Sequence, residues 1–287
     1  MTESNIPSID AEKVAASFDK AANDYHHAAL LQQEIGERLV ERLVDIALNA
    51  TNIVDLGCGT GFVMQKLAQY HPKSQIFGVD IAPNMLQQAQ KHAPRWFSNQ
   101  HFICADAEFL PFADNSIDLV ISNLMLQWCS DFTAVLKECQ RVLSPKGVLL
   151  FSTLGPDTLK ELRESWAQVD KHHHVNEFVN IYQLGDALFN LGMKDPVMDI
   201  DWMTECFPDG MDIMRQLKII GAHHVNAGRA KGLRGKQGLQ KMLAYYEKFR
   251  ITEGLPATYE VIYGMAHWGE KPETTLMPPQ EQVIKFS

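Results

Sequence analysis

This sequence has no window of about 18 uninterrupted apolar residues, the length a membrane span needs. Residues 1–10 are polar and carry no basic-then-apolar leader, so the expectation is a cytoplasmic protein, neither exported nor membrane-bound. The five cysteines, Cys58, Cys104, Cys129, Cys139 and Cys206, are odd in number and scattered. With no C-x-x-C pair they indicate neither a disulfide framework nor a zinc site, and a reducing compartment suits them. No metal is expected: adjacent histidines such as His172-His173-His174 rarely converge on one ion, and no Cys or Asp set stands beside them. No internal repeat is visible. Positive charge is short overall, and a net charge of −9 argues against a general nucleic-acid binder.

What is present is a glycine-rich turn. Residues 53–61 read Ile-Val-Asp-Leu-Gly-Cys-Gly-Thr-Gly, a short apolar run reaching Asp55, then Gly57, Gly59 and Gly61, then an amphipathic stretch over 62–70. That is a strand, a tight turn and a helix start, where glycine allows φ > 0 and lets a ligand approach bare main chain. A dinucleotide fingerprint would be G-x-G-x-x-G. Here the third glycine comes one residue early and Phe62 sits where that fingerprint wants glycine. Asp55 at the loop mouth would repel a pyrophosphate, but it suits a ligand with an ammonium and a sulfonium. S-adenosylmethionine carries both.

The next strand ends support the same ligand. Asp80 follows an apolar run over 75–79, about twenty residues past the loop, where a ribose-binding acid belongs. A third run, 101–105, ends in Asp106-Ala107-Glu108, where Asp106 can accept from an adenine amino group and the Ala107 N–H can donate to a ring nitrogen. A fourth, 117–122, runs into Asn123 and Leu124. Taken singly each feature has a plain structural reading: a turn, a helix cap before Pro83, a solvated loop acid. In this order they form a set along one sheet edge, where ligands of open α/β sheets sit.

Hydrophobic periodicity places the other elements. Residues 11–48 read as helix. Strands and helices then alternate to about residue 154, with a helix over 132–143 and a fifth strand over 148–153, which implies a doubly wound parallel sheet. Beyond Gly155-Pro156 come helices over 157–169, 182–191, 210–220 and 238–249, a weakly alternating sixth strand over 196–202, and a last strand over 258–263. Residues 221–238 are rich in glycine and bases and read as a long functional loop. Residues 211–250 hold nine Lys and Arg, among them Arg215, Arg229 and Lys231, against Asp212 and Glu247. That is either a docking face for an acidic partner or a solvated face balanced by acids elsewhere.

On Asp55, Gly57, Gly59, Gly61, Asp80 and Asp106-Ala107 the core over 50–154 resembles the class I S-adenosylmethionine-dependent methyltransferases. The chain is similar, over about 14–268, to the malonyl-acyl-carrier-protein O-methyltransferases of biotin synthesis. This narrower likeness rests on the stretches 18–25 (Phe-Asp-Lys-Ala-Ala-Asn-Asp-Tyr), 122–128 (Ser-Asn-Leu-Met-Leu-Gln-Trp), 155–159, 221–229 (Gly-Ala-His-His-Val-Asn-Ala-Gly-Arg) and 257–264. The family often has His where Met265 stands. The resemblance implies an α/β, Rossmann-like fold with a mostly parallel seven-stranded sheet. It implies one domain over 1–268, made of an N-terminal helical lid (11–48), a cofactor core (50–154) and a substrate- and carrier-facing half (155–268), with 269–287 a loose tail.

The resemblance further implies that S-adenosylmethionine donates a methyl group to the free malonyl carboxylate, and that acyl-carrier protein is the partner. Asp55 and Asn123 would hold the methionine end, Asp80 the ribose, and Asp106 with Ala107 the adenine. Ile81 joins the cofactor set, and Met85, Leu124 and Trp128 supply apolar walls. Tyr25 would come from the lid toward the methyl group, or simply pack. His223 and Arg229 would position the malonyl carboxylate. A malonyl carboxylate is already ionised at neutral pH, so no general base is required. Two other functions fit the cofactor set: methylation of a small acceptor such as a quinone-pathway intermediate, and a non-catalytic S-adenosylmethionine-binding module.

Overall fold

A computed structural model describes residues 10–44, 46, 48–94, 99–172, 174–220 and 233–269. The chain opens with α1 (Ala11–Ala28) and α2 (Leu30–Glu41), followed by β1 (Asn52–Leu56), α3 (Phe62–Tyr70), β2 (Gln75–Asp80), α4 (Pro83–His92), β3 (Gln100–Cys104) and β4 (Ile117–Asn123). A 3-10 turn at Leu126–Trp128 leads to α5 (Phe132–Val142) and β5 (Leu143–Leu154). The second half holds α6 (Lys160–Ala167), α7 (Ile181–Asn190), β6 (Lys194–Phe207), α8 (Gly210–Ile219), α9 (Leu233–Tyr246) and β7 (Leu255–His267). The strands form one seven-stranded sheet in the order β3-β2-β1-β4-β5-β7-β6. β1 to β5 pair in parallel with one another, and β7 runs antiparallel to both β5 and β6. The expected mostly parallel seven-stranded sheet is therefore observed.

The parallel strands are apolar because both faces are covered. Ile53, Ile76, Leu119, Ile121 and Leu150 face a core shared with α2 and α3, and Val54, Val79, Val120 and Leu149 face one shared with α5 and α7. β1 pairs with β2 on one side and β4 on the other, so the strand order reverses there. That switch point opens a crevice beyond the strand carboxyl ends. The register pairs Leu56 with Val79 and Asp80 with Cys104, which brings these ends to one level.

Four expectations need correction. The single helix over 11–48 is two helices, broken at Ala29 (φ −87, ψ 44). Sequence periodicity hides the break because no glycine or proline marks it. Side chains from elsewhere satisfy the freed carbonyls: Gln33 Nε2 donates to the His26 carbonyl and Gln216 Nε2 to that of Ala28, each at 2.6 Å. The helix over 157–169 starts only at Lys160, since the preceding turn is tied to β7: the Asp157 N–H donates to Glu260 at 2.7 Å and the Leu159 N–H to the Thr258 carbonyl at 2.6 Å. The sixth and last strands extend to 14 and 13 residues. β6 is an edge strand exposed along much of its length, so it lacks the apolar alternation that would mark its ends. Finally, residues 233–238 are helix, not loop; Gly238 packs against Val169, where a Cβ would stand 3.4 Å from a methyl. Residues 221–232 lie outside the described residues. No helix among the described residues is long and apolar enough to cross a membrane.

β5 and β7 meet at a point of close approach. A Cβ on Gly264 would stand 2.2 Å from Cζ of Phe151, its cross-strand partner, which is fully buried. Gly264→Ala is expected to destabilise the fold by about 1–3 kcal/mol through overpacking. The check is a urea titration, in which the midpoint falls at constant slope.

Candidate cofactor and active site

β1 delivers Asp55 and Leu56 to the crevice, and the turn behind them uses its three glycines for three purposes. All have positive φ, at +74, +54 and +83 for Gly57, Gly59 and Gly61. A Cβ on Gly57 would lie 2.4 Å from Cγ of Met125, and one on Gly61 would lie 3.1 Å from Cβ of Ala89 in α4. One on Gly59 would meet nothing nearer than Tyr25 Cε1 at 3.9 Å, so that face is bare. The turn does not cradle phosphates. The Gly57 and Cys58 N–H groups donate to the Val79 carbonyl at 2.8 and 3.0 Å, the Gly61 N–H to Cys58 at 2.9 Å, and the Gly59 N–H to Asp80 Oδ2 at 2.9 Å.

The acids differ in how far they are satisfied. Asp80 Oδ1 accepts the Ala82 N–H at 2.8 Å, and with the Gly59 bond each oxygen keeps capacity for one more donor. Burial pushes its pKa up to about 6 against those two bonds, and Asp19 adds to the rise. Asp55 is 1% exposed and its Oδ2 has no partner. Burial pushes it up to about 8, helped by the charge of Asp80 and opposed by the Met64 N–H in the first turn of α3. Asp106 Oδ1 accepts the Glu108 N–H at 2.9 Å. Asn123 is already engaged: its Oδ1 accepts the Ser152 hydroxyl at 2.7 Å, and its Nδ2 donates to the Gln32 carbonyl of α2 at 2.9 Å.

These groups line two adjoining hollows that open to solvent. The larger holds Gly57, Gly59, Asp80, Ile81, Met85, Asp106, Ala107, Asn123, Leu124 and Trp128. The smaller shares Gly57, Gly59 and Asn123 and adds Asp55. Tyr25 stands in the walls of both. Of the residues expected to bind cofactor, only Gly61 lines neither; it serves the packing of α3 on α4. His223 and Arg229 lie outside the described residues.

Sequence reasoning missed the rest of the α1 wall. Ala11, Val14 and Phe18 line the larger hollow with Tyr25. Phe18 meets Tyr25 at 6.1 Å and Trp128 edge to face at 5.4 Å. The signal was available, since positions 11, 14, 18 and 25 fall on one helical stripe. Glu108, Met125, Cys129 and Ser130 on the far wall, and Gln32, Gln33 and Thr60 beside Asp55, were also missed, as contacts made only by the fold.

No Lys, Arg or His is among the described residues lining either hollow, against four carboxylates, those of Asp55, Asp80, Asp106 and Glu108. An unpartnered buried carboxylate oxygen beside a bare glycine face fits a cationic ligand and not a pyrophosphate. Comparison with known proteins agrees. Residues 54–151 match a family described as "Methyltransferase domain". A malonyl-[acyl-carrier protein] O-methyltransferase of Methylovorus sp. (strain MP688) is 46% identical over 276 residues, covering 94% of this chain and 92% of that protein. The chain belongs to the malonyl-[acyl-carrier protein] O-methyltransferase family. The biotin biosynthesis bifunctional protein BioHC of Cellvibrio japonicus is 40% identical over 261 residues, 91% of this chain and 51% of that one. Among solved structures, the YcgJ protein of Bacillus subtilis shares the fold with a TM-score of 0.58 at 17% identity, covering 85% of this chain and 99% of that one. S-adenosylmethionine is thus the cofactor of this O-methyltransferase.

If Asp55 meets the cofactor's ammonium group, binding should depend on pH. Asp55 is protonated in the free protein below about pH 8, and an ammonium group favours its ionised form. Affinity for S-adenosylhomocysteine should therefore rise with pH up to about 8, by up to roughly tenfold per unit, with proton release. Calorimetry at pH 7 in buffers of different ionisation enthalpy measures that proton. Asp55→Asn should weaken binding and remove most of the release.

Proposed function

We propose that this chain methylates the free carboxylate of a malonyl thioester on acyl-carrier protein, an early step of biotin synthesis. Likeness to a named malonyl-[acyl-carrier protein] O-methyltransferase over 94% of the chain, well beyond the cofactor core, is the observation that carries this reading. The bifunctional biotin relative supports the pathway.

When bound, S-adenosylmethionine supplies an electrophilic methyl group on a sulfonium. The residues then have the following parts. Asp80 uses its remaining acceptor capacity on the ribose hydroxyls, Asp106 and the Ala107 N–H meet the adenine, and Asp55 meets the ammonium. Asn123 contributes less than expected, because Ser152 and Gln32 already take its oxygen and one of its N–H groups. Its larger part is to fix α2 against the crevice. Ile81, Met85, Leu124 and Trp128 give apolar walls.

No residue need remove a proton, since the malonyl carboxylate is already ionised. Catalysis is then orientation and exclusion of water, and orientation alone contributes up to about 7–11 kcal/mol in favourable cases. The protein also has to withhold competing nucleophiles from the methyl group. Burial first, and the nearby carboxylates second, push the thiols of Cys58 and Cys129 far up, so neither is a thiolate. Burial and Asp80 do the same for the Tyr25 hydroxyl, leaving a neutral phenol in the wall.

The carrier is acidic, so a basic face should receive it. In the 211–250 segment, Arg215 is tied to Asp212 at 2.9 Å and Arg250 to Glu247 at 2.7 Å. Outside that segment, Arg163 donates to the Thr158 carbonyl and Lys160 lies over Trp202. Lys236, Lys241 and Lys248 are exposed along and just after α9, and Lys248 lies over the ring of Tyr245. α9 itself carries no acid. Arg229 and Lys231 are outside the described residues. The α9 face is therefore the docking surface proposed for the carrier.

Labelled S-adenosylmethionine offered with malonyl-carrier, malonyl-CoA and a quinone precursor tests the function. Methylation of a malonyl thioester is expected. Transfer to the quinone precursor alone would replace this reading with the small-acceptor one, and cofactor binding with no turnover would leave a binding module. Lys236→Glu with Lys241→Glu should raise KM for malonyl-carrier several-fold, more so at low salt, and leave KM for malonyl-CoA unchanged.

A further inference from the structure

α1 is held against the cofactor cleft by contacts the reaction does not use. α4 begins at Pro83 with Ala82 as its N-cap, and Ala82 has no side chain to receive the first-turn N–H groups. Pro83 has no N–H, which makes the Asn84 N–H the first orphan donor. Asp19, in the middle of α1, receives it from another element. Its Oδ1 accepts the Asn84 N–H at 2.8 Å, and Asn84 Nδ2 reaches back to the Asp19 carbonyl at 3.5 Å. One turn further, Asn23 Oδ1 accepts from Gln88 Nε2 of α4 at 2.6 Å.

Between these polar pins lie apolar ones. Phe18, Ala22 and Tyr25 pack on Ala82 and Met85. Phe18 and Tyr25 are also the aromatic wall of the cleft, and Phe18 reaches across to Trp128. At its far end α1 leaves helical geometry at Ala29, where α2 begins. The wall is thus a helix jointed at one end and pinned at its middle to the start of α4, two residues past the Asp80-Ile81 strand end.

We propose that Asp19 is a positioning residue for methyl transfer: by capping α4 from α1 it latches the Phe18–Tyr25 wall over the cofactor, and cofactor exchange requires that latch to open. The inference rests on the cofactor reading of the cleft. It assigns Asp19 no contact with either substrate. Capping, and not charge, is the operative property, so asparagine should replace aspartate here.

The experiment compares S-adenosylhomocysteine binding and dissociation, by calorimetry and stopped flow, in wild type, Asp19→Ala and Asp19→Asn. Asp19→Ala should bind about tenfold more weakly, the size of one lost N-cap, mainly through faster dissociation. Its KM for S-adenosylmethionine should rise more than its kcat falls. Asp19→Asn should stay within about twofold of wild type. Gln88→Ala removes the second pin from the exposed side of α4 and should speed dissociation by a smaller factor, which covers the case in which Asp19→Ala does not fold. A merely structural role would lower the melting temperature of Asp19→Ala while its dissociation rate and KM at 25 °C matched wild type; that result, or Asp19→Asn behaving like Asp19→Ala, would overturn the latch. Failure of wild type to bind any adenosyl ligand would remove the cofactor reading and the latch together, an outcome distinct from wild-type binding by Asp19→Ala.

Discussion

The structure turns on two carboxylates at the carboxyl ends of β1 and β2, that of Asp55 fully buried, with no cation among the described residues lining the cleft to answer them. Burial raises the cost of ionising both, and the charge of Asp80 adds to that of Asp55 as the charge of Asp19 adds to that of Asp80. Each pKa unit corresponds to about 1.4 kcal/mol. Both folded-state values lie above those of an unfolded chain. The stability they allow is therefore full in acid, below the unfolded value, and is lost as pH rises through about 6 and then about 8. In the free protein the site is a liability that a cation removes. The sheet accepts that liability because parallel strands with apolar faces surround it, and because the main chain supplies what stabilisation there is, from Gly59, Ala82 and Met64.

That constraint explains the glycines and the joint between the first two helices. Gly57 must let Met125 close over the turn, Gly61 must let α4 close behind it, and only Gly59 is left bare toward the ligand. α2 lies flat on the sheet with Ile35 and Leu39 fully buried, while α1 has to swing away to wall the cleft. One continuous helix could not do both. The break at Ala29 is supported by Gln33 and Gln216, side chains that reach in from a neighbouring turn and from α8.

The core of the site was legible because its signals are local. A strand, a turn of fixed glycine spacing and an acid after each of the next two strands are properties of short windows, and the sheet brought them together by strand order alone. What was hidden depends on distant partners. Phe18 carried the helical stripe but nothing in sequence says that Trp128 stands opposite. Asn123 looked free to hold a ligand, whereas Ser152 and Gln32, both far away in the chain, already use its amide. Gly238 looked like loop because glycine usually is, yet it is the contact that lets α9 approach Val169 and Trp166. The long β6 escaped because an edge strand needs no alternation, and β7 because a strand paired on both sides and buried on both faces shows none either.

Charge also orders the two substrates of the reaction proposed here. A malonyl carboxylate approaching an acidic cleft with no Lys, Arg or His among its described walls meets repulsion from every ionised group in it. With the cofactor in place, its net positive charge offsets part of that repulsion, and the carboxylate would find a positive centre at the sulfonium. Transfer of the methyl group cancels that centre and the carboxylate at once, because a thioether and an ester are both neutral. Attraction thus exists only between cofactor entry and reaction, and it disappears with the products. The same carboxylates that destabilise the free protein would make the acceptor come second and leave readily.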